Sequence, residues 1–191
     1  MSYPNIEDRD IQVARYKGRV KDFERKSEFT IQLVSTTNYR DFEGDLRKVI
    51  NYIKKDLPDW DNSPNFADVE NRFVFHSRCF LFYYQEKYDK YGRKPIGWYW
   101  FSDDVRFDFI DINKRLNKGV CYGGNAFVTK QVKRPKKAGK YMYQITSDFI
   151  FNQLGYDKIV AYVNGWNVKG IMTTVGAGSE VENWYDSWNS I

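Results

Sequence analysis

Apolar positions along the chain fall into short runs, and their spacing separates strands from helices. Phe29-Thr-Ile-Gln-Leu-Val-Ser35 alternates and is β-branched, which predicts a strand. Phe42, Leu46, Val49, Ile50, Ile53 and Leu57 recur at steps of 4, 3, 1, 3 and 4, one face of an amphipathic helix that Pro58 ends. Asn62, Ser63, Pro64 and Asn65 make 59–68 a loop. Three strands follow: one within 72–85, one over Pro95–Phe101 and one over Val120–Val128. The first two are apolar on both faces and belong mid-sheet, with helices covering each side. The charged stretch 86–94 reads as a hairpin connection, and the polar stretch 102–119 carries four Asp between 103 and 111.

Further on, Met142, Ile145, Phe149, Ile150 and Leu154 mark the buried stripe of a helix that Gly155 stops. Lys158–Val163 predicts a buried strand, Asn164-Gly-Trp-Asn167 breaks it, and Val168–Val175 forms a short helix closed by Gly176 and Gly178. Three segments result. Residues 1–28, polar with charges of both signs, read as a solvated arm or lead-in helix. Residues 29–178 hold the folded domain. Residues 179–191, with Trp184, Tyr185 and Trp188, read as an edge strand plus an aromatic tail.

Composition narrows the class. With 191 residues, 42% hydrophobic and 29% charged, the chain fits one globular domain. Aromatics reach 18%, so rings supply much of the core. Two Cys and one His argue against a zinc site and point to free thiols in a reducing, cytoplasmic setting. The longest apolar run, Cys79–Tyr84, falls far short of a membrane span of roughly 20 residues. The N-terminus shows no signal-peptide core. A net charge of +5 suits an anionic ligand but is weak for nucleic acid. The richness in Tyr, Asn and Lys points toward an AT-rich genome such as a phage.

Chemistry concentrates in 120–176. Residues 130–140 carry six positive charges and no negative one. Gly139, flanked by Lys133, Arg134, Lys136, Lys137 and Lys140 at a helix start, is the pattern of an anion site, with a solvated basic loop as the plain alternative. Gly123-Gly124 marks either a close approach of ligand to backbone or a β-bulge. His76 and Cys79, three apart on a strand, face opposite sides and make a poor nucleophile pair. Cys121 reads as core, and so do Trp98, Trp100 and Trp166 against an acceptor-pocket alternative.

The order of elements over roughly 29–178 resembles the GNAT family of acyl-CoA N-acyltransferases. That resemblance implies an α/β (α+β) fold: a mixed, mostly antiparallel central sheet with helices on both faces. Lys136-Lys-Ala-Gly139-Lys-Tyr141 matches the family's Arg/Gln-x-x-Gly-x-Gly/Ala pyrophosphate pattern, keeping the central glycine but with Lys136 leading and Tyr141 last. The resemblance implies that Lys136, Lys137, Ala138, Gly139 and Lys140 hold the diphosphate of acetyl-CoA, and that the backbone of Phe127 and Val128 holds the pantetheine arm between two splayed strands. Asn164 fits the family Asn near that arm, with Asn167 the second candidate. The usual proton-donating Tyr of the next helix is missing, since 168–175 offers only Thr173 and Thr174. Tyr162 substitutes only if its face points into the cleft. Asp108, with Asp103 and Asp104 nearby, is the candidate base.

The implied activity is acetyl transfer from acetyl-CoA to an amine of unidentified acceptor. Two alternatives stand beside it. One is a catalytically silent GNAT-fold component of a larger assembly, such as a phage virion, docking through the N-terminal arm and aromatic tail. The other is a nucleic-acid module using the 130–140 loop, against which the single mild patch argues. Whether strands 120–128 and 158–163 diverge discriminates among these readings.

Overall fold

The computed structural model describes residues 9–19, 23–24, 26–58, 63–75, 77–85, 92–103, 116–131, 137–164 and 167–186. The strands are β1 (Arg9–Tyr16), β2 (Phe29–Val34), β3 (Arg78–Tyr84), β4 (Lys94–Ser102), β5 (Val120–Val128), β6 (Lys158–Asn164) and β7 (Glu180–Asp186). The helices are α1 (Glu43–Asp56), entered through a 3-10 turn, α2 (Phe66–Val74), α3 (Ala138–Asn152) and α4 (Val168–Gly176). One seven-stranded sheet runs β2-β3-β4-β5-β6-β1-β7. Every pairing is antiparallel except β5 with β6.

Helices cover both faces, as the doubly apolar strands require. On one face α3 packs through Met142, Ile150 and Phe151 onto Phe80, Phe82, Tyr99, Phe101 and Cys121. On the other, Leu46, Val49, Ile50 and Ile53 of α1 meet Cys79, Leu81, Trp98 and Trp100. These are four of the six residues the spacing predicts; Phe42 caps the helix half-buried, and Leu57, past its last turn, is exposed. Trp98 and Trp100 are 1% and 2% exposed, so both are core. Cys79 and Cys121 are fully buried free thiols. Burial pushes both up, Cys121 to about 12, so neither supplies a thiolate near neutral pH. His76 and Trp166 lie outside the described residues.

Two elements differ from the sequence reading. Helix α2 occupies the end of the expected loop and the start of the expected strand. Asn65 caps it reciprocally with Asp68, a capping box worth about 1 kcal/mol. Val69 and Phe73, both fully buried, each add roughly 1.5–3 kcal/mol and hold this nine-residue helix down. The strand therefore begins at Arg78.

The second correction concerns the N-terminal arm. Residues 9–16 are not solvated: β1 lies inside the sheet, antiparallel to β6 on one side and β7 on the other. Ile11, Val13 and Ala14 are each 1% exposed. The flanking charges hide this short apolar run. Arg15 is buried with it. Its guanidinium donates to the Tyr143 carbonyl at 2.9 Å, to Ser147 Oγ, and more distantly to the Tyr99 hydroxyl at 3.5 Å. It also stands 4.7 Å from the Tyr143 ring centre. One side chain thus ties β1 to α3 and to β4.

Candidate functional site

Among the described residues the one parallel pair of strands is also the shortest. β5 and β6 pair at Val120↔Lys158, Cys121↔Ile159 and Tyr122↔Val160, and no further. Beyond that point β5 stays with β4 as far as Gly97↔Val128, while β6 stays with β1 as far as Asp10↔Asn164. The two strands part and leave a V-shaped gap between 123–128 and 161–164. Among the described residues no strand takes up the backbone N–H and C=O groups of its inner edges, so an extended ligand with amides can add there as a strand would.

A bulge explains the parting. Tyr99 pairs with Ala126 and Trp100 with Gly124, which leaves Asn125 as the extra residue, at φ 48°. Asn tolerates that left-handed backbone, and its Oδ1 accepts from Trp98 Nε1 at 3.1 Å. Such an insertion bends its strand. Gly123 is needed just before it. A Cβ there would lie 1.9 Å from the Tyr99 hydroxyl. Of the two sequence readings for the glycine pair, the bulge is present at the following residue, and Gly123 admits a tyrosine of the core.

Both strands of the V lead into helices, so two helix N-termini follow its open end. Lys137 starts α3 from a left-handed backbone (φ 69°), with no side-chain cap and no acidic residue in the first turn. The first intrahelical bond runs from Tyr141 N–H to the Lys137 carbonyl at 3.0 Å. The N–H groups of Ala138, Gly139 and Lys140 precede it and have no acceptor within the helix. Together with the Lys137 and Lys140 ammonium groups and the helix dipole, they favour an anion. Gly139 faces α4, where a Cβ would sit 3.6 Å from Thr173 Cγ2. Asp56, at the end of α1, fixes the start of the connecting loop. It accepts from Thr129 Oγ1 at 2.8 Å, Lys130 N at 2.6 Å and Gln131 Nε2 at 2.5 Å. Burial alone would raise the Asp56 carboxyl, but these three bonds outweigh it and hold it below the ordinary aspartate range.

The remaining sequence-derived residues divide. Phe127 and Val128 form the free end of β5 and face opposite sides, toward the α1 cluster and the α3 cluster respectively. Asn164 ends β6. Asn167 is the N-cap of α4, its Oδ1 accepting from Gly170 N at 2.9 Å, so that oxygen is already engaged. Tyr162 stands on the face opposite α3, its ring 6.1 Å from that of Tyr122. Thr173 donates to the Lys169 carbonyl at 2.7 Å, and Thr174 shares a 2.9 Å hydroxyl bond with Ser179. Asp103 is exposed and bound by Arg78 and Tyr156. Lys136, Asp104 and Asp108 lie outside the described residues.

Sequence reasoning missed Arg15 and the bulge residue Asn125. The first had a signal, alternation over Ile11-Gln-Val-Ala-Arg15. The second had only the glycine pair before it. Among the described residues no group of His, Cys, Asp and Glu is placed to hold a metal ion, and no helix is long and apolar enough to cross a membrane.

No family model and no curated protein matches the sequence. Solved structures do. A GCN5-related N-acetyltransferase from Kribbella flavida superposes over 92% of this chain and 55% of its own, with a TM-score of 0.53 and 12% identity. A tandem GNAT protein from the clavulanic acid biosynthesis pathway superposes over 93% and 51%, with a TM-score of 0.57 and 8% identity. The ribosomal-protein-S5-alanine acetyltransferase of Vibrio fischeri superposes over 82% and 81%, with a TM-score of 0.53 and 16% identity. The chain thus spans about half the length of the first two. At these identities the likeness is one of fold, and that fold is the GNAT fold.

Proposed function

We propose that this GNAT-fold chain is an acyl-CoA-dependent N-acyltransferase, moving an acetyl group from acetyl-CoA to an amine. One observation carries the reading: the sheet opens between β5 and β6 beside an uncapped, lysine-flanked helix start. An elongated thioester with amides along its arm and a diphosphate at its far end matches that pair of features. In this reading Lys136, Lys137 and Lys140, with the backbone of Ala138 and Gly139, bind the diphosphate. The free edge of β5 at Phe127 and Val128 takes the pantetheine amides, and Asn164 lies across the gap from them.

Positioning supplies most of the rate in such a transfer, because the amine and thioester are held at attack distance. A general base adds about 10²–10⁴-fold. Asp108 is the proposed base. Tyr162, on the sheet face opposite α3, is the proposed proton donor to the departing thiolate. Incubating the chain with acetyl-CoA and a panel of amines, and following free thiol release, tests this. Thiol release that depends on the amine and is lost in Lys137→Glu/Lys140→Glu supports the proposal. No binding of acetyl-CoA at millimolar concentration overturns it.

A second reading, a catalytically silent GNAT-fold component, has one observation in its favour. The hydroxyls that α4 offers in place of a tyrosine are both committed, Thr173 to a carbonyl and Thr174 to Ser179. Acetyl-CoA binding without thiol release for any amine would support it.

A further inference from the structure

Helix α4 packs by one side and leaves an apolar row on the other. Thr174 is buried, its hydroxyl bonded to Ser179, and Thr173 lies beside Gly139 of α3. Val168, Met172 and Val175 occupy the outer arc and are 56%, 70% and 39% exposed. Their spacing of 4 and 3 is that of a helix–helix seam, and at 100° per residue they share about 60° of arc. Val181, just past the turn that follows α4, is 41% exposed and stands opposite Val13 on the α3 side of the sheet. The other large exposed apolar side chains among the described residues, Leu57, Val74 and Phe75, sit at the ends of α1 and α2 and form no such row. The charges of α4 are also unbalanced. Exposed Lys169 stands in its first turn, where the helix dipole disfavours a cation. That turn holds no acidic residue, and the last turn holds no basic one.

We infer that α4 pairs with the α4 of a second copy of this chain, antiparallel across a two-fold axis beside Met172. Antiparallel alignment sets Val168 of each copy against the partner's Val175 and brings the two Met172 side chains together. The row is then its own complement, as a two-fold interface requires. Methionine adapts to the fit at the axis. Charge selects the direction. Lys169 of each copy comes level with the last turn of the other α4, whose carbonyl end favours a cation and has none of its own. A parallel pair would set the two Lys169 side by side. A nine-residue seam is small against the roughly 20–30 residues a side of a stable interface, so the dimer is weak and forms at micromolar concentrations or above. Thr173, not the row, faces Gly139, so pairing leaves the start of α3 uncovered. The inference is independent of the acyl-CoA reading.

Sedimentation velocity of the whole chain, from about 1 to about 500 µM, tests this and is expected to show a monomer–dimer equilibrium. Met172→Glu puts two carboxylates together at the axis and should weaken the dimer at least about tenfold. Its melting temperature in dilute solution should match wild type, because the side chain is 70% exposed. Lys169→Glu should weaken the dimer by roughly 3- to 30-fold, since two symmetric dipole contacts are reversed. The same variant should melt at or above the wild-type temperature as a monomer, because a carboxylate suits the start of its own helix. Met172→Cys treated with a short bis-maleimide should give a covalent dimer, and Val74→Cys, equally accessible at the end of α2, should not; Cys79 and Cys121 are buried from the reagent. A monomer throughout the concentration range, or a dimer that Met172→Glu leaves intact, overturns the inference. A lowered melting temperature for Lys169→Glu overturns the charge argument that sets the direction. A monomer that anionic vesicles capture through Met172 also overturns the inference, because the row then belongs to a lipid surface.

Discussion

Gly123→Ala tests the steric logic of the cleft. A Cβ at this position would lie 1.9 Å from the Tyr99 hydroxyl, 2.9 Å from its Cζ and 2.9 Å from Ile159 Cγ2. Tyr99 has no room to yield. It is 1% exposed, with the edge of Tyr143 at 5.6 Å on its ring and Arg15 at its hydroxyl. Overpacking of this kind costs about 1–3 kcal/mol, and the depth of the overlap puts Gly123→Ala at the upper end. Lowered entropy of the unfolded chain returns roughly 0.4–1 kcal/mol. The net loss is about 2 kcal/mol, or about 4–8 °C in melting temperature at this chain length. Tyr99→Phe removes the closest clashing atom. By itself it gives up only the long bond from Arg15, about 1 kcal/mol. The double variant Gly123→Ala/Tyr99→Phe should therefore be more stable than the sum of the singles by about 1 kcal/mol or more. Urea denaturation of the four proteins measures this coupling. Additivity within about 0.5 kcal/mol would show that Tyr99 is not what requires a glycine.

Two further outcomes follow from buried and clamped charges. Arg15→Met should stay within about 1.5 kcal/mol of wild type, because an apolar chain of similar length fills the site without a cation to desolvate, whereas Arg15→Ala should lose about 2–5 kcal/mol through its cavity. Equal losses in chemical denaturation would mean that the charge itself is required. The Asp56 carboxyl is held low when folded, so its contribution is fully present above the unfolded value near pH 4 and fades as pH falls through the folded one. Amide shifts of Thr129–Gln131, followed by NMR through an acid titration, should turn over below the unfolded aspartate value. A midpoint at that value would refute the clamp.

Much of the architecture was legible because the strongest signals are local. The α1 stripe, the doubly apolar strands and the basic loop before α3 each declare themselves within about a dozen residues. Helix α2 was also legible, in Asn65-x-x-Asp68 followed by Val69 and Phe73, but the loop-forming residues around it carried more weight. Strand β1 was less so: the short alternation over Ile11–Arg15 is outweighed by charges on both sides that imitate a solvated segment. Only pairing on both edges with β6 and β7 makes a strand of it.

The chain's own order of residues determined which segments are strands and helices, where the positive charge gathers, and that both faces of the sheet must be covered. These properties come from side-chain period and composition, which act between near neighbours. The tertiary structure alone decided that β5 and β6 separate after three pairs, that an N-terminal strand enters the sheet, and that Arg15 is buried. Each of these depends on groups more than a hundred residues apart meeting in space, or on one extra residue at Asn125 turning a strand, and no local pattern encodes such meetings.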